Sequence, residues 1–404
     1  MNTEIKPGLH WIGIVDWGLR HFHGHELSTN RGSTYNSYLI MDEKIAVVDT
    51  VWAPFTDDYL ARLRQLIDPA RIDYIITNHA EPDHSGALPA LLREAINATV
   101  VVSKKGLDSV PGHYHQAWRF KAVGTGDTLS LGRRELLFLE APMLHWPDSM
   151  FTYVKGESLL FSNDAFGQHY ATAFRFNDQV DQLELAQEAL KYYANILTPF
   201  SPQVTKKIAE LLALNLPLDM IAPSHGVIWR QNPLQIVTKY QEWAAQSPQP
   251  QAVVLYESMW HATRRMAEAV GDGLADAGIP YKLIYASAND RNDILTEIFQ
   301  AGAVVVGSST VNNGFLPSLA PIFSEWKGLR MKHKLGAAFG SYGWSGESVK
   351  LLEAQLTECG VTVAHDGILA KWQPKPEELD ACRHLGRAVA ATLKGKTASH
   401  LVLG

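Results

Sequence analysis

The segment Asn78-His79-Ala80-Glu81-Pro82-Asp83-His84 decides how the first half of this chain is read. It places four potential metal ligands, His79, Glu81, Asp83 and His84, within six residues. In an extended segment, residues two apart point to the same side, so His79, Glu81 and Asp83 are expected to share a face. His84 directly follows Asp83 and reaches a neighbouring ion only if the chain bends there. The run therefore suits two metal ions better than one. It contains no thiolate, and imidazole nitrogen with carboxylate oxygen suits iron or manganese at least as well as zinc. A polar surface loop with two histidines is the plain alternative, but it leaves the downstream pattern unexplained.

Three more candidates stand just after short apolar runs that read as strands. His145 follows 135–140, Asp164 follows 158–161 and His225 follows 220–222. The seven residues together comprise four histidines and three carboxylates, enough for a dinuclear site. Asp164 is the natural bridge, because a carboxylate has two oxygens to share.

A chain of 404 residues exceeds the usual single-core limit, so two cores are expected. The boundary falls in the polar stretch 243–251, with Pro248 and Pro250, and divides the chain into 1–248 and 252–404. The composition, 46% hydrophobic and 19% charged, is that of an ordinary globular enzyme. A net charge of −6 with no basic run argues against a nucleic-acid surface. The N-terminal residues lack the apolar core of a signal peptide, and no apolar run is long enough to span a bilayer. With only two cysteines, Cys359 and Cys382, neither a disulfide framework nor a four-cysteine metal site is expected, and the setting reads as cytoplasmic.

Beyond the boundary, apolar runs at 252–256, 281–285, 303–307, 335–339 and 361–364 alternate with amphipathic segments at 263–275, 293–301, 315–326, 347–359 and 376–393. This predicts an α/β domain with a doubly wound parallel sheet. Ligands of such sheets bind at the carboxyl ends of the strands, where three loops are expected. The first, Ser258-Met259-Trp260-His261-Ala262-Thr263, opens a helix and offers hydroxyls and backbone N–H groups to an anion. It lacks the lysine of a triphosphate loop, and its neutral donors suit a single phosphate ester. The second holds Ser309, Thr310, Asn312, Asn313 and Gly314, polar groups that could edge a planar ring system. The third, Ser341-Tyr342-Gly343-Trp344-Ser345, combines small residues with two aromatic rings able to stack. A cofactor-free receiver-type domain would want acidic residues at the first strand end, where only Glu257 stands.

These motifs resemble known families. The second domain resembles flavodoxin, which implies flavin mononucleotide (FMN), although His261 and Ala262 stand where flavodoxins often carry smaller residues. The ligand pattern of the first domain resembles the metallo-β-lactamase fold, which implies an αβ/βα sandwich. Most members of that fold carry histidine where this chain has Glu81. That substitution, with Asp16-Trp17, Arg20-His21-Phe22-His23-Gly24, His145-Trp146-Pro147-Asp148-Ser149-Met150 and Tyr192-Tyr193-Ala194-Asn195, is similar to flavodiiron proteins, in particular the core of flavorubredoxins. The resemblance implies two non-haem irons, one on His79, Glu81 and His145, the other on Asp83, His84 and His225, bridged by Asp164. It makes His23, Tyr192 and Tyr193 candidates for proton supply, and Asp49 a residue that holds a ligand histidine or a loop. It implies reduction of nitric oxide to nitrous oxide, of dioxygen to water, or both. The electrons would come from a rubredoxin-type donor, expected to be a separate protein because two cysteines cannot build a rubredoxin. A head-to-tail homodimer, or a homotetramer built from it, is implied too, with Trp146 and Trp344 near the contact. The alternatives are a zinc hydrolase with a flavodoxin-like appendage and an electron carrier whose metals are structural. The residues do not rank nitric oxide against dioxygen.

Overall fold

The computed structural model describes residues 3–403. They form two compact units: the chain up to Tyr193 with Phe200–Ala244, and Ala194–Pro199 with the chain from Ala245 onward.

The first unit is built on two sheets. One runs in the order Thr3–Lys6, Leu9–Trp11, Tyr38–Ile40, Ile45–Val48, Ile72–Thr77, Thr99–Ser103, Phe120–Val123. The other runs Thr128–Ser130, Glu135–Glu140, Met150–Lys155, Leu159–Asn163, Met220–Pro223. Alternation along the strands sends one set of side chains inward. Val48, Ile76 and Val101 of the first sheet join Phe138, Val154 and Phe161 of the second in a single buried core. The result is the expected sandwich, with sheets face to face and helices outside. The α-helix Gln182–Tyr192 continues as a π-helical turn, Tyr193–Leu197. A further helix runs Ser201–Ala213.

The second unit carries a parallel sheet in the order Tyr281–Tyr285, Ala252–Glu257, Ala303–Val311, Leu335–Tyr342, Thr362–Val363. Numbered along the chain this is 2-1-3-4-5, the flavodoxin-like doubly wound order. Two expectations are corrected. The fifth strand is in two pieces, Thr362–Val363 and Ile368–Lys371, both paired with Leu335–Tyr342. The helix expected from 315 begins at Ala320, because Phe315 pairs back on Thr310 in a hairpin. Its turn residues Asn312 and Asn313 have φ of 47° and 58°, the conformation two-residue hairpins favour. Among the described residues no helix is long and apolar enough to cross a membrane.

Candidate metal centre and flavin pocket

The decisive segment leaves strand Ile72–Thr77 under tight control. Asp49, itself at φ 53°, accepts the Asn78 N–H on Oδ1 at 2.7 Å, the loop-holding role expected of it. Glu81 is still extended, with φ −55° and ψ 137°, and Pro82 then opens a helical turn, Pro82–Ser85. Proline suits a first helical position because its missing N–H is not needed there. Ser85 Oγ donates back toward Ala80 and Glu81 carbonyls at 2.7 and 3.0 Å, and Thr50 donates to the His84 carbonyl. The single-face expectation for His79, Glu81 and Asp83 therefore fails at Asp83. The turn swings Asp83 and His84 together to a second cluster.

The side chains gather as His79, Glu81, His145 and Asp164, and as Asp83, His84 and His225. Asp164 Oδ2 lies 3.3 Å from His145 Nε2 and 3.7 Å from His79 Nε2. Its Oδ1 lies 2.9 Å from His84 Nε2 and 3.6 Å from His225 Nε2. Glu81 Oε2 stands 3.2 Å from His79 Nε2 and 3.4 Å from His145 Nε2, and Asp83 Oδ2 stands 3.0 Å from His225 Nε2. One carboxylate thus faces both groups, one oxygen to each.

The donor set fits two cations. Both oxygens of Asp83 and of Asp164 and both ring nitrogens of His84 are buried without a hydrogen-bond partner, although charged neighbours stand close by. In each group one ligand atom per residue lies within 4.8 Å of all the others, and a buried polar atom left unpartnered is costly unless something fills the space between them. Burial opposes charge on His84 and His145, yet the surrounding carboxylates outweigh it and raise them to about 10 and about 9. Burial likewise opposes ionisation of Asp164, and the nearby His84 and His145 hold it well below the carboxylate range. The cluster demands positive charge. Two of the histidines have their far ring nitrogen engaged: His225 Nδ1 stands 2.6 Å from the Thr34 carbonyl, and His79 Nδ1 stands 3.4 Å from Asp148 Oδ2, which also accepts the Ala80 N–H at 2.7 Å. Partners of this kind fix a ring's tautomer and leave Nε2 for a metal.

Of the residues read as proton suppliers, the structure brings two to the cluster. His23 Nε2 sits 2.7 Å from Glu81 Oε1. Tyr192 lies 6.2 Å from the His225 ring, centroid to centroid, and burial together with Asp164 keeps its phenol well above the usual range. Tyr193 goes elsewhere: its hydroxyl bonds Ser201 Oγ at 3.0 Å and its ring packs on Tyr240 and Trp243. Sequence reasoning missed His169, whose buried ring stands 4.9 Å from His225 and 5.0 Å from Tyr192, with Nδ1 on Ser33 Oγ at 2.9 Å. Its only signal was its place five residues after Asp164. Asp148 was quoted within a motif but given no role.

In the second unit a cavity of about 330 Å³ opens at the carboxyl ends of the strands, a size ordinary for small-ligand sites. Its walls include Met259, Trp260 and Ala262 from the first loop, Ser309, Thr310 and Asn312 from the second, and Ser341, Tyr342, Gly343, Trp344 and Ser345 from the third. Thr263 lies beneath: its Oγ1 bonds Ser309 Oγ and Ser341 Oγ at 2.9 Å each, joining the helix start to two strand ends through hydroxyls. Ser309 Oγ also accepts the Met259 N–H at 3.1 Å. Trp260 and His261, at φ 53° and 62°, adopt the left-handed turn that glycine would take more easily. Ser258, His261, Asn313 and Gly314 do not line the cavity; Asn313 supports the third loop by accepting from Ser345 Oγ at 3.5 Å. A fourth segment, Trp372-Gln373, completes the wall. Gln373 Nε2 donates to the Trp260 carbonyl at 3.0 Å, and Gly343 leaves room for the Trp372 ring, which an added Cβ would meet at 2.8 Å. Neutral hydroxyls at the base and aromatic rings at the rim suit a phosphate ester carrying a flat ring system.

A two-site histidine–carboxylate centre on a sandwich of this type, in one chain with a flavodoxin-type domain, defines a flavin- and metal-dependent oxidoreductase. Comparison with known proteins agrees. Residues 34–226 match the ODP family beta lactamase and residues 254–386 match flavodoxin. The chain is 49% identical to a nitric oxide reductase of Moorella thermoacetica, over 97% of this chain and 98% of that one. Its structure is similar to the rubredoxin oxygen:oxidoreductase of Desulfovibrio gigas, with TM-score 0.96 and 40% identity, covering 98% of this chain and 100% of that one. It is likewise similar to the flavodiiron protein of Giardia intestinalis, with TM-score 0.94 and 34% identity over 99% and 98% of the two chains. The chain belongs to the flavodiiron proteins, and its cofactors are FMN and two non-haem irons.

Proposed function

We propose that this protein reduces nitric oxide to nitrous oxide, dioxygen to water, or both, using electrons passed from a rubredoxin-type donor through FMN to the diiron centre. The observation that carries the proposal is Asp164, which turns one oxygen to each of two ligand groups in a chain that also builds a flavin pocket. A hydrolase on this fold has no use for a flavin. Coupling of two nitric oxides takes two electrons and two protons; dioxygen to two waters takes four of each. When bound, the iron pair supplies open coordination positions and the flavin supplies paired electrons.

The chain's own residues do the rest. His79, Glu81 and His145 would hold one iron and Asp83, His84 and His225 the other, with Asp164 offering one oxygen to each group. Thr34 and Asp148 orient the rings of His225 and His79. His23 keeps Glu81 in place with Nε2 and can hand a proton inward from solvent. Burial keeps the Tyr192 phenol protonated, so it is a potential donor beside the His225 ring. The metal module is 1–248 and the FMN module 252–404, with the flavin held between Met259, Trp260 and Ala262, Ser309, Thr310 and Asn312, and residues 341–345, joined by Trp372 and Gln373. Two buried thiols, Cys359 and Cys382, fit a reducing cytoplasm.

The test is the iron and flavin content of purified protein, followed by gas consumption with reduced rubredoxin. About two irons and one FMN per chain with turnover of either gas are expected. Zinc alone from iron-replete cells, with no flavin, would overturn the proposal in favour of the hydrolase. Flavin and iron must approach closely for electron transfer, and a head-to-tail homodimer, alone or paired into a homotetramer, achieves this by setting one protomer's flavin against its partner's irons. Mixing His79→Ala chains with chains carrying bulky acids at Ser258 and Thr263 should restore partial activity; a fully active monomer at high dilution would refute the dimer.

A further inference from the structure

The hairpin over His21 to Ser28 carries three histidines, and the metal centre uses only the middle one. Strand His21–Phe22 pairs with Leu27–Ser28. Between them His23 and Gly24 take successive left-handed conformations, φ 50° and 72°, which fold the chain back on itself. The fold sends His23 inward to Glu81 and brings His25 over His21 on the exposed side. The rings of His21 and His25 stand 4.9 Å apart, centroid to centroid, at 56°.

That spacing has a yardstick in the same molecule. His84 and His225, both in the second ligand group, stand 4.8 Å apart at 55°, and His79 and His145, both in the first, stand 5.6 Å apart. Two imidazoles about 2.0–2.1 Å from one tetrahedral ion place their ring centres roughly 5 Å apart. Spacing alone permits rather than requires a shared ion. His169 and His225 match it too, at 4.9 Å and 55°, but their Nδ1 atoms face Ser33 and the Thr34 carbonyl in a buried setting. His21 and His25 differ in lying at the surface, where water can complete a coordination shell. The neighbouring Arg20 guanidinium is engaged by the Trp17 and Leu19 carbonyls, to which it donates at 2.9 and 2.8 Å.

We infer that His21 and His25 form an exterior two-imidazole site for a divalent transition-metal ion, distinct from the buried pair. An ion clamped there ties the first strand of the hairpin to its turn and thereby fixes His23, the residue that braces Glu81. The class of ligand is a borderline cation such as nickel, cobalt or zinc, which favours neutral imidazole; magnesium and calcium, which prefer oxygen, are excluded.

The experiment titrates nickel(II) into tag-free, iron- and FMN-loaded protein by calorimetry, with iron content measured before and after. The wild type should take up one nickel beyond its two irons, with no iron displaced. The variant His21→Ala/His25→Ala, checked for unchanged iron and flavin content, should lose that event or bind about tenfold more weakly or worse. His384→Ala, which removes an exposed histidine of the second unit, should titrate like the wild type. Absence of the extra nickel in the wild type, its release of iron in proportion, or equal binding by the double variant would each overturn the inference. A second readout is hydrogen exchange of the hairpin amides, expected to slow on adding nickel to the wild type and not to the double variant.

Discussion

Asp148→Asn isolates what a residue behind a ligand contributes. Asp148 Oδ2 accepts the Ala80 N–H at 2.7 Å and stands 3.4 Å from His79 Nδ1, while Oδ1 stands 3.3 Å from the same nitrogen. With Asn in this place, the oxygen goes to Ala80 and the amide nitrogen faces His79, donor against donor. The ring loses the partner that fixes its tautomer, and the first group loses part of its grip. Partners of this kind are worth about 10–100-fold in metal affinity, or about 1.4–2.7 kcal/mol. The second group, Asp83, His84 and His225, does not touch Asp148, so the loss should fall on one iron. Titration with a ferrous chelator should then be biphasic in the variant, with about half the iron released at a tenfold or greater advantage. FMN content should not change. Loss of both irons together, or a profile equal to the wild type, would refute the reasoning.

Other expectations follow from equally local facts. Gly226 sits at φ +77°, and an added Cβ would lie 2.0 Å from Gln168 Oε1 and 2.6 Å from the Gln168 carbonyl, so Gly226→Ala should cost several kcal/mol, on the order of 2–4, and displace His225; thermal denaturation and iron content check both. Thr263→Val removes the hydroxyl that bonds Ser309 and Ser341, and should weaken FMN by about 1–3 kcal/mol, read by fluorescence on flavin release. Burial pushes the Lys334 ammonium down to about 7, while its Nζ donates to the Phe299 and Ala301 carbonyls. Because the folded value lies below the unfolded one, the unfolded chain binds more protons between about pH 7 and pH 10, and stability should rise across that window, having been lowest below pH 7. Lys334→Met should abolish this slope in urea midpoints; an identical slope would refute it. Tyr193→Phe should leave turnover unchanged and cost at most about 1.5 kcal/mol through Ser201, whereas Tyr192→Phe should lower turnover.

The gathering of these seven residues was legible because each follows an apolar strand, and strands end at the sheet edge where side chains meet. What alternation could not show was the break at Pro82: extended geometry holds through Glu81 and then gives way to a helical turn. The second domain read well wherever a buried strand is uniformly apolar, as in Ala303–Val311. It read poorly at the fifth strand, where the apolar run at 361–364 is only half of the pairing and Ile368–Lys371 supplies the rest after an interruption at Asp366-Gly367. Trp372 and Gln373 were missed for the same reason, since an edge strand with Lys371 and an exposed Leu369 carries little periodic signal. The helix start at Ala320 was obscured by Phe315, which is apolar but belongs to a hairpin. Tyr193 shows the limit of motif reading: it adjoins Tyr192, but at a helical surface adjacent residues point about 100° apart, and only one of the pair turns to the cluster.

The single turn Pro82–Ser85 has a genetic consequence. Glu81 just before it belongs to one ligand cluster, and Asp83 and His84 within it belong to the other, so the two clusters share one stretch of backbone and one register. Removing or adding one residue there would rotate everything beyond by about 100° and strip the second site while dragging on the first. Substitutions can retune either ion separately, as Glu81 does for its own, but length changes cannot. The two sites must therefore be inherited together or lost together, and descendants of this chain can vary which metals they hold far more readily than how many.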